Sequence, residues 1–342
     1  MTLQVIWFVL WGLLWAVYFM LDGFDLGSGM LYNFLARNDT EKRMILGAVG
    51  PVWNGNEVWL VTAGGATFAA FPGTYAAMFS FLYLPLLFVL YSLILRGVSL
   101  EFRGKIEGAR WKKWWDTIIL IGSFIPALLF GVAFGNIFQG LQIDASGYHG
   151  TFFGLLNFYG LLTGILFVVL FLYHAALWLV LRTGGELSER AAALSTKLWY
   201  ILAAVAVVFL IGTAFFTNLY ANFVASPGWF VVPFVAVAGL VSSRIFTSRA
   251  SRLLAFLSSC ATVLGIVFTG IIGLFPRLLP SALDPASSLT IFNSSSSAYT
   301  LRVMTIVAFI FVPIIVVYQI LVYRFFRKPV TADAIEGDAE GY

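Results

Sequence analysis

Apolar residues come in long unbroken blocks along this chain rather than in a 3.6- or 2-residue alternation. A block of about 20 residues is what a hydrocarbon core roughly 30 Å thick demands of a helix. Charge and Pro/Gly punctuation bound nine such blocks, at 3–34, 48–71, 74–96, 116–141, 152–181, 198–224, 228–246, 250–275 and 300–326. Only the short stretch from Arg244 to Arg252 separates the seventh from the eighth. The pattern predicts an all-α polytopic membrane protein with about nine transmembrane helices. It forms a single transmembrane domain over 1–328, followed by an acidic cytoplasmic tail at 329–342 that is expected to be disordered. The first 20 residues hold neither Lys nor Arg ahead of the apolar core and no small-residue cleavage site, so they are expected to remain as the first span.

Composition excludes an ordinary soluble domain: 61% of the 342 residues are hydrophobic and 11% charged, against about 25% charged in soluble proteins. A formal charge of +4 would suggest nucleic acid in a soluble chain. Here the 20 basic residues are spread among membrane segments, so they read as loops facing an anionic inner leaflet, and no nucleic-acid partner is expected. With the N-terminus outside, the inner loops collect Arg37, Lys42 and Arg43; Arg96, Arg103, Lys105, Arg110, Lys112 and Lys113; Arg182, Arg190 and Lys197; Arg244, Arg249 and Arg252; and Arg324, Arg327 and Lys328. Only Arg277 and Arg302 fall outside, which predicts an external N-terminus and a cytoplasmic C-terminus. The inner stretch from Arg96 to Asp116, with Trp111, Trp114 and Trp115, is expected to lie on the headgroups. The outer stretch from Pro276 to Tyr299 is rich in Pro, Ser and Ala and holds no catalytic motif.

Three acids lie well inside spans: Asp22 and Asp25 in the first, Glu57 in the second. Ionisable groups at that depth are expensive and normally face a protein or water-filled interior. Asp22 and Asp25 are three apart and share a helix face. Asp25 lies roughly 15 Å from the inner surface and Glu57 roughly 14 Å, at 1.5 Å per residue, so the two carboxyls are at matching depth. Asn54 and Asn56 flank Glu57 and supply amides that hydrogen-bond a carboxyl or hold water. Those are the materials of a proton relay, and equally of a polar clamp between helices. His174 lies within the fifth span and reads as a satisfied buried histidine; His149 lies in an outer loop and reads as solvated. Bis-His ligation would consume both at unmatched depths, so no haem is expected in this chain. The lone Cys260, in an apolar run, excludes an intrachain disulfide or CxxC pair. Gly131/Gly135 and Gly160/Gly164 fit the small-xxx-small pattern of close helix packing.

Several segments in order carry a family likeness: Asp22-Gly-Phe-Asp-Leu-Gly27, Phe34 through Arg43, Trp53-Asn-Gly-Asn-Glu-Val-Trp-Leu60, Thr62-Ala-Gly-Gly-Ala66, Gly122-Ser-Phe-Ile-Pro126, Gly131-Val-Ala-Phe-Gly-Asn136 and Ser288 through Ser297. Together they resemble subunit II of the cytochrome bd quinol oxidases. The resemblance implies a respiratory complex in a prokaryotic cytoplasmic membrane that oxidises quinol and reduces dioxygen to water. It implies two four-helix bundles plus a peripheral helix, packed against a subunit I that holds two b haems, one d haem and the quinol-oxidising loop; some members add a small single-span subunit. The positions of Asp25 and Asn54 belong, in the family, to a proton route from the cytoplasm. Asp25 matches. Asn54 departs from the Asp of many relatives, and an amide releases no proton; Glu57, a helical turn later, supplies the acid instead, with Asp22 nearby. A structural quinone or lipid is a further feature of some relatives. The competing reading is a proton- or ion-coupled secondary transporter with a broken-helix ion site. A third is a purely structural scaffold for the haem subunit.

Overall fold

The computed structural model describes residues 2–336. The chain opens with α1 (Leu3–Leu35), whose first turn is capped by the Thr2 hydroxyl accepting from the Val5 N–H. Next comes α2 (Asp39–Val49), capped by Asn38 and carrying Asp39 and Glu41 in its first turn, where acids favour the helix dipole. The second predicted span is α3 (Trp53–Ala70). The third is two helices, α4 (Pro72–Phe81) and α5 (Tyr83–Phe102), the latter extended by a 3₁₀ turn over Arg103–Lys105. Pro72 opens α4, where a missing N–H costs nothing, and Pro85 has no N–H to return to the Phe81 carbonyl, so the helix breaks at Leu82 and restarts.

The fourth predicted span becomes α6 (Ala109–Gln139), which begins before 116 and takes Trp111, Trp114 and Trp115 into its first turns. The expected headgroup segment is therefore the root of a spanning helix. A short α7 (Phe152–Leu155) precedes α8 (Phe158–Arg182), and α9 (Gly185–Phe216) starts ahead of the predicted 198. Beyond a short α10 (Tyr220–Ala225) lie α11 (Val231–Ser248) and α12 (Arg252–Leu274), joined by a tight turn with Ala250 at φ 54°. The last elements are α13 (Ala298–Phe325) and α14 (Ala332–Glu336). Two hairpins sit on the loops: β1 (Ile143–Asp144) pairs with β2 (Gly147–Tyr148), and β3 (Arg277–Leu279) with β4 (Leu289–Thr290).

Among the described residues eight helices are long and apolar enough to cross a membrane. The ninth is α3, whose 18 residues reach about 27 Å but include Asn54, Asn56 and Glu57. Helices α1, α3, α4–α5 and α6 form one bundle and α8, α9, α11 and α12 the other, with α1, α6, α8 and α12 packed along the seam. Helix α13 lies outside both, against α1 and α3, with only Leu301 buried. The expected two bundles and a peripheral helix are thus present.

Glycine makes the seam. A Cβ on Gly131 of α6 would stand 2.5 Å from the Thr163 carbonyl of α8 and 2.6 Å from the Gly164 Cα, so the two small-xxx-small motifs face each other. On α1, Gly27 sits against the Phe171 carbonyl of α8 in the same way. Gly131→Val is expected to destabilise the purified complex by about 1–3 kcal/mol, as overpacking against backbone does, and so to lower its yield and its thermal midpoint. Gly104→Ala, with nothing within 4 Å of the added atom, should leave both unchanged.

The Pro/Ser-rich outer stretch is folded onto the helix ends. Ser296 N donates to the Ala70 carbonyl at 2.9 Å, the Thr74 and Ser294 hydroxyls pair at 2.8 Å, and Leu141 exchanges two 2.8 Å backbone bonds with Pro280 and Ala282. The start of the acidic tail is also docked: Val330 bonds Arg182 and Gly184 through its backbone, and Ile335 is buried near α2. Disorder was expected there because local composition does not reveal these partners; residues 337–342 lie outside the described residues.

Candidate functional site

Asp22 and Asp25 point into the first bundle and are fully buried. The partner of Asp22 is Arg96, whose Nη1 stands 3.5 Å from Asp22 Oδ1 and which is itself 1% exposed. Gly122 of α6 makes this possible: a Cβ there would lie 2.8 Å from the Ser92 carbonyl and 3.0 Å from the Arg96 Cβ. Arg96 was expected in an inner loop, since a cation ends an apolar block. The structure places it inside α5, where Asp22 neutralises it. A signal was present: Ser92, Arg96, Ser99 and Arg103 recur at helical spacing, and all four are buried.

Asp25 Oδ2 accepts a 2.7 Å hydrogen bond from Asn56 Nδ2, and Asn56 Oδ1 accepts one from the Tyr323 hydroxyl at 2.7 Å. Asn56, not Glu57, therefore meets Asp25. Glu57 is partly exposed and lies within electrostatic range of Asp22 and Arg96. Asn54 is exposed on the α3 surface. The structure thus unites Asp22 and Asp25, sets Glu57 at the edge and leaves Asn54 outside. Tyr323 and Gln319 of α13 complete the cluster: Trp59 Nε1 donates to Gln319 Oε1 at 2.9 Å, and Gln319 Nε2 donates to the Gly55 carbonyl at 2.8 Å. These polar pairs hold the peripheral helix, together with Trp7 Nε1, which donates to the Leu301 carbonyl at 3.2 Å and the Thr305 hydroxyl at 3.1 Å.

At the end of the bundle where α1 meets α2, charges interlock. Asp116 accepts from Lys42 Nζ and Arg103 Nε, both at 2.6 Å, and Asp39 accepts from Arg103 Nη2 at 2.7 Å and Lys112 Nζ at 2.8 Å. Burial alone would raise the Asp39 carboxyl, but the hydrogen bonds from Lys112 and Arg103 outweigh it and hold Asp39 below the ordinary carboxylate range. The Tyr32 ring lies beneath Lys42 and Arg103, 5.4 and 5.7 Å from its centroid.

Both histidines are engaged with other groups of the chain. His174 is fully buried with both ring nitrogens engaged, Nδ1 with the Ser259 hydroxyl at 2.7 Å and Nε2 with the Met20 carbonyl at 2.9 Å. His149 sits half-exposed on the β1–β2 hairpin, 2.9 Å from Asp144. Cys260 is free.

This bundle of apolar helices around a buried Asp–Arg–Asn–Tyr cluster has known relatives. The chain is 39% identical to Cytochrome bd-I ubiquinol oxidase subunit 2 of Escherichia coli (strain K12), over 98% of this chain and 97% of that protein. It is 36% identical to Cytochrome bd ubiquinol oxidase subunit 2 of Bacillus subtilis (strain 168), over 96% and 97%. The solved structure of bd oxidase from Geobacillus thermodenitrificans shares the fold, with a TM-score of 0.77 over 95% of this chain and 99% of that one at 20% identity. These similarities favour the oxidase over the transporter. Residues 3–326 match the family described as Cytochrome bd terminal oxidase subunit II, and the chain belongs to that family, as a subunit of an oxidoreductase complex.

Proposed function

We propose that this chain is the non-haem subunit of a quinol:dioxygen oxidoreductase and carries protons from the cytoplasm towards the oxygen-reducing site of its partner. The observation that supports it is the pair Asp22 and Asp25, sealed inside the bundle beside Arg96 and Asn56, each with one carboxylate oxygen lacking a hydrogen-bond partner among the described residues. Buried acids of this kind in a membrane interior serve transfer more often than stability. Asp25 receives the proton, Asp22 shares it, Glu57 delivers it at the edge of α3, and Asn54 orients water at the surface. The partner, cytochrome bd subunit I, holds the two b haems, the d haem and the quinol site; a small single-span subunit and membrane lipid or quinone complete the assembly. The N-terminus is outside and the acidic tail, 329–342, is cytoplasmic, so protons are drawn from the inside while quinol releases its own outside. That separation builds a potential without a pump.

Glu57→Gln keeps shape and hydrogen bonding but removes the proton. It should slow quinol-driven oxygen consumption several-fold, about what one displaced proton carrier at the rim of a relay costs, while leaving the reduced-minus-oxidised spectrum intact. Asn54→Asp should be tolerated. A complex without d-haem bands would refute the oxidase assignment, and an unmodified rate for Glu57→Gln would remove Glu57 from the route.

A further inference from the structure

At the end of the second bundle that carries Arg244, Arg249 and Arg252 the helices do not close on one another. The turn from α8 to α9 and the turn from α11 to α12 leave between them a cavity of about 140 Å³, bordered by Val180, Ser188, Glu189, Thr247, Arg252 and Ala255. That is the volume of about five liquid waters, room for a small polar group rather than for one structural water. The border carries one charge of each sign, and the two are not bridged to each other. Arg252 is exposed, and among the described residues it spends one N–H, from Nη1 to the Val180 carbonyl at 3.3 Å, of the five a guanidinium owns. Glu189, one turn into α9, is exposed with neither a hydrogen-bond nor an ion-pair partner among the described residues.

The hydroxyls add acceptors. Ser188 and Thr247 give their hydrogens to the Val180 and Ser243 carbonyls, at 3.1 and 2.7 Å, which leaves oxygen lone pairs for an incoming donor. With the Glu189 carboxylate they make three acceptors, the number a primary ammonium can satisfy. Arg252 opens α12, whose cap residue Ser251 makes no side-chain cap hydrogen bond, so a guanidinium and the positive end of a helix dipole meet at the rim, a combination suited to a phosphate. The first two turns of α12 also carry Leu253, Leu254 and Leu257, exposed by 54%, 45% and 50%, a surface for hydrocarbon beside the rim. We infer that this cavity binds the headgroup of an aminophospholipid, with its primary ammonium against Glu189, Ser188 and Thr247, its phosphate against Arg252 and the α12 N-terminus, and its acyl chains along those leucines. An anionic headgroup without the ammonium would meet the Glu189 charge, and a choline headgroup has no N–H to donate.

The test strips the purified complex of lipid in detergent, adds back phosphatidylethanolamine, phosphatidylcholine or phosphatidylglycerol with the same acyl chains, and counts retained lipid by native mass spectrometry. The unmodified complex is expected to hold one phosphatidylethanolamine about tenfold more tightly than either competitor, the affinity equivalent of one charge-assisted hydrogen bond. Glu189→Gln should abolish the preference for ethanolamine over choline. Arg252→Gln should weaken phosphatidylethanolamine about tenfold, and Arg252→Lys, which keeps a cation, should recover part of that loss. The reduced-minus-oxidised spectrum of each variant should match the unmodified complex, which shows that it has assembled; the comparison of the three lipids needs no variant at all. Equal retention of the three, or a preference for phosphatidylglycerol, would overturn the inference. So would a preference for phosphatidylethanolamine that survives both Glu189→Gln and Arg252→Gln, since the lipid would then sit elsewhere. Soluble phosphoethanolamine binding as tightly as the lipid would show that the acyl chains play no part and would refute the lipid assignment.

Discussion

Asp25→Asn is expected to cut quinol-driven oxygen consumption by about 10²-fold, the low end of what a positioned acid or base contributes to proton transfer. The substitution is nearly isosteric, and the new side-chain oxygen can still accept the 2.7 Å hydrogen bond from Asn56. Asn56 in turn keeps its bond from Tyr323, so the tie between α1, α3 and α13 survives. Assembly and the haem spectrum of the complex should therefore be normal, and the loss should appear in turnover alone. Oxygen-electrode rates across about pH 6 to 9 decide it: an unmodified rate throughout would make Asp25 a helix clamp rather than a proton carrier.

Arg96→Met should have the largest effect on stability. Removing one partner of a buried ion pair strands the other charge, at a cost of about 3–5 kcal/mol, and Asp22 is fully enclosed with Arg96 and the Tyr18 hydroxyl beside it. The expected result is little or no assembled complex after detergent extraction. Arg96→Met combined with Asp22→Asn removes both charges and should recover much of the yield, since replacing a whole buried pair is far cheaper than breaking it. Equal yields for the single and double variants would show that Arg96 acts through packing against Gly122 and not through Asp22.

Hydrophobic blocks suffice to place most spans, because a lipid-facing helix must be apolar over its whole length whatever its neighbours. They misplace boundaries where tertiary partners satisfy polar groups. Block 74–96 ended at Arg96 because an unpaired guanidinium there would be prohibitive, whereas Asp22 across the bundle keeps α5 running to Phe102. Blocks 116–141 and 198–224 began late for a related reason. The first turns of α6 and α9 carry charges that pair outside the apolar zone, as Lys112 does with Asp39 and Arg190 with Glu41.

For the candidate site, sequence alone determined that Asp22, Asp25 and Glu57 are intramembrane acids and that Asp25 and the region of Glu57 share one depth, because helical rise is fixed at 1.5 Å per residue. It also marked Gly131/Gly135 and Gly160/Gly164 as close-packing motifs, while only the structure shows that they face each other across α6 and α8. Tertiary structure decided the rest. One residue along α3 turns the side chain by about 100°, so Asn56 rather than Glu57 reaches Asp25. The cation facing Asp22 comes from a helix 74 residues away in sequence, the tyrosine behind Asn56 from a helix 267 residues away, and no local pattern encodes which distant helices will face each other across a bundle.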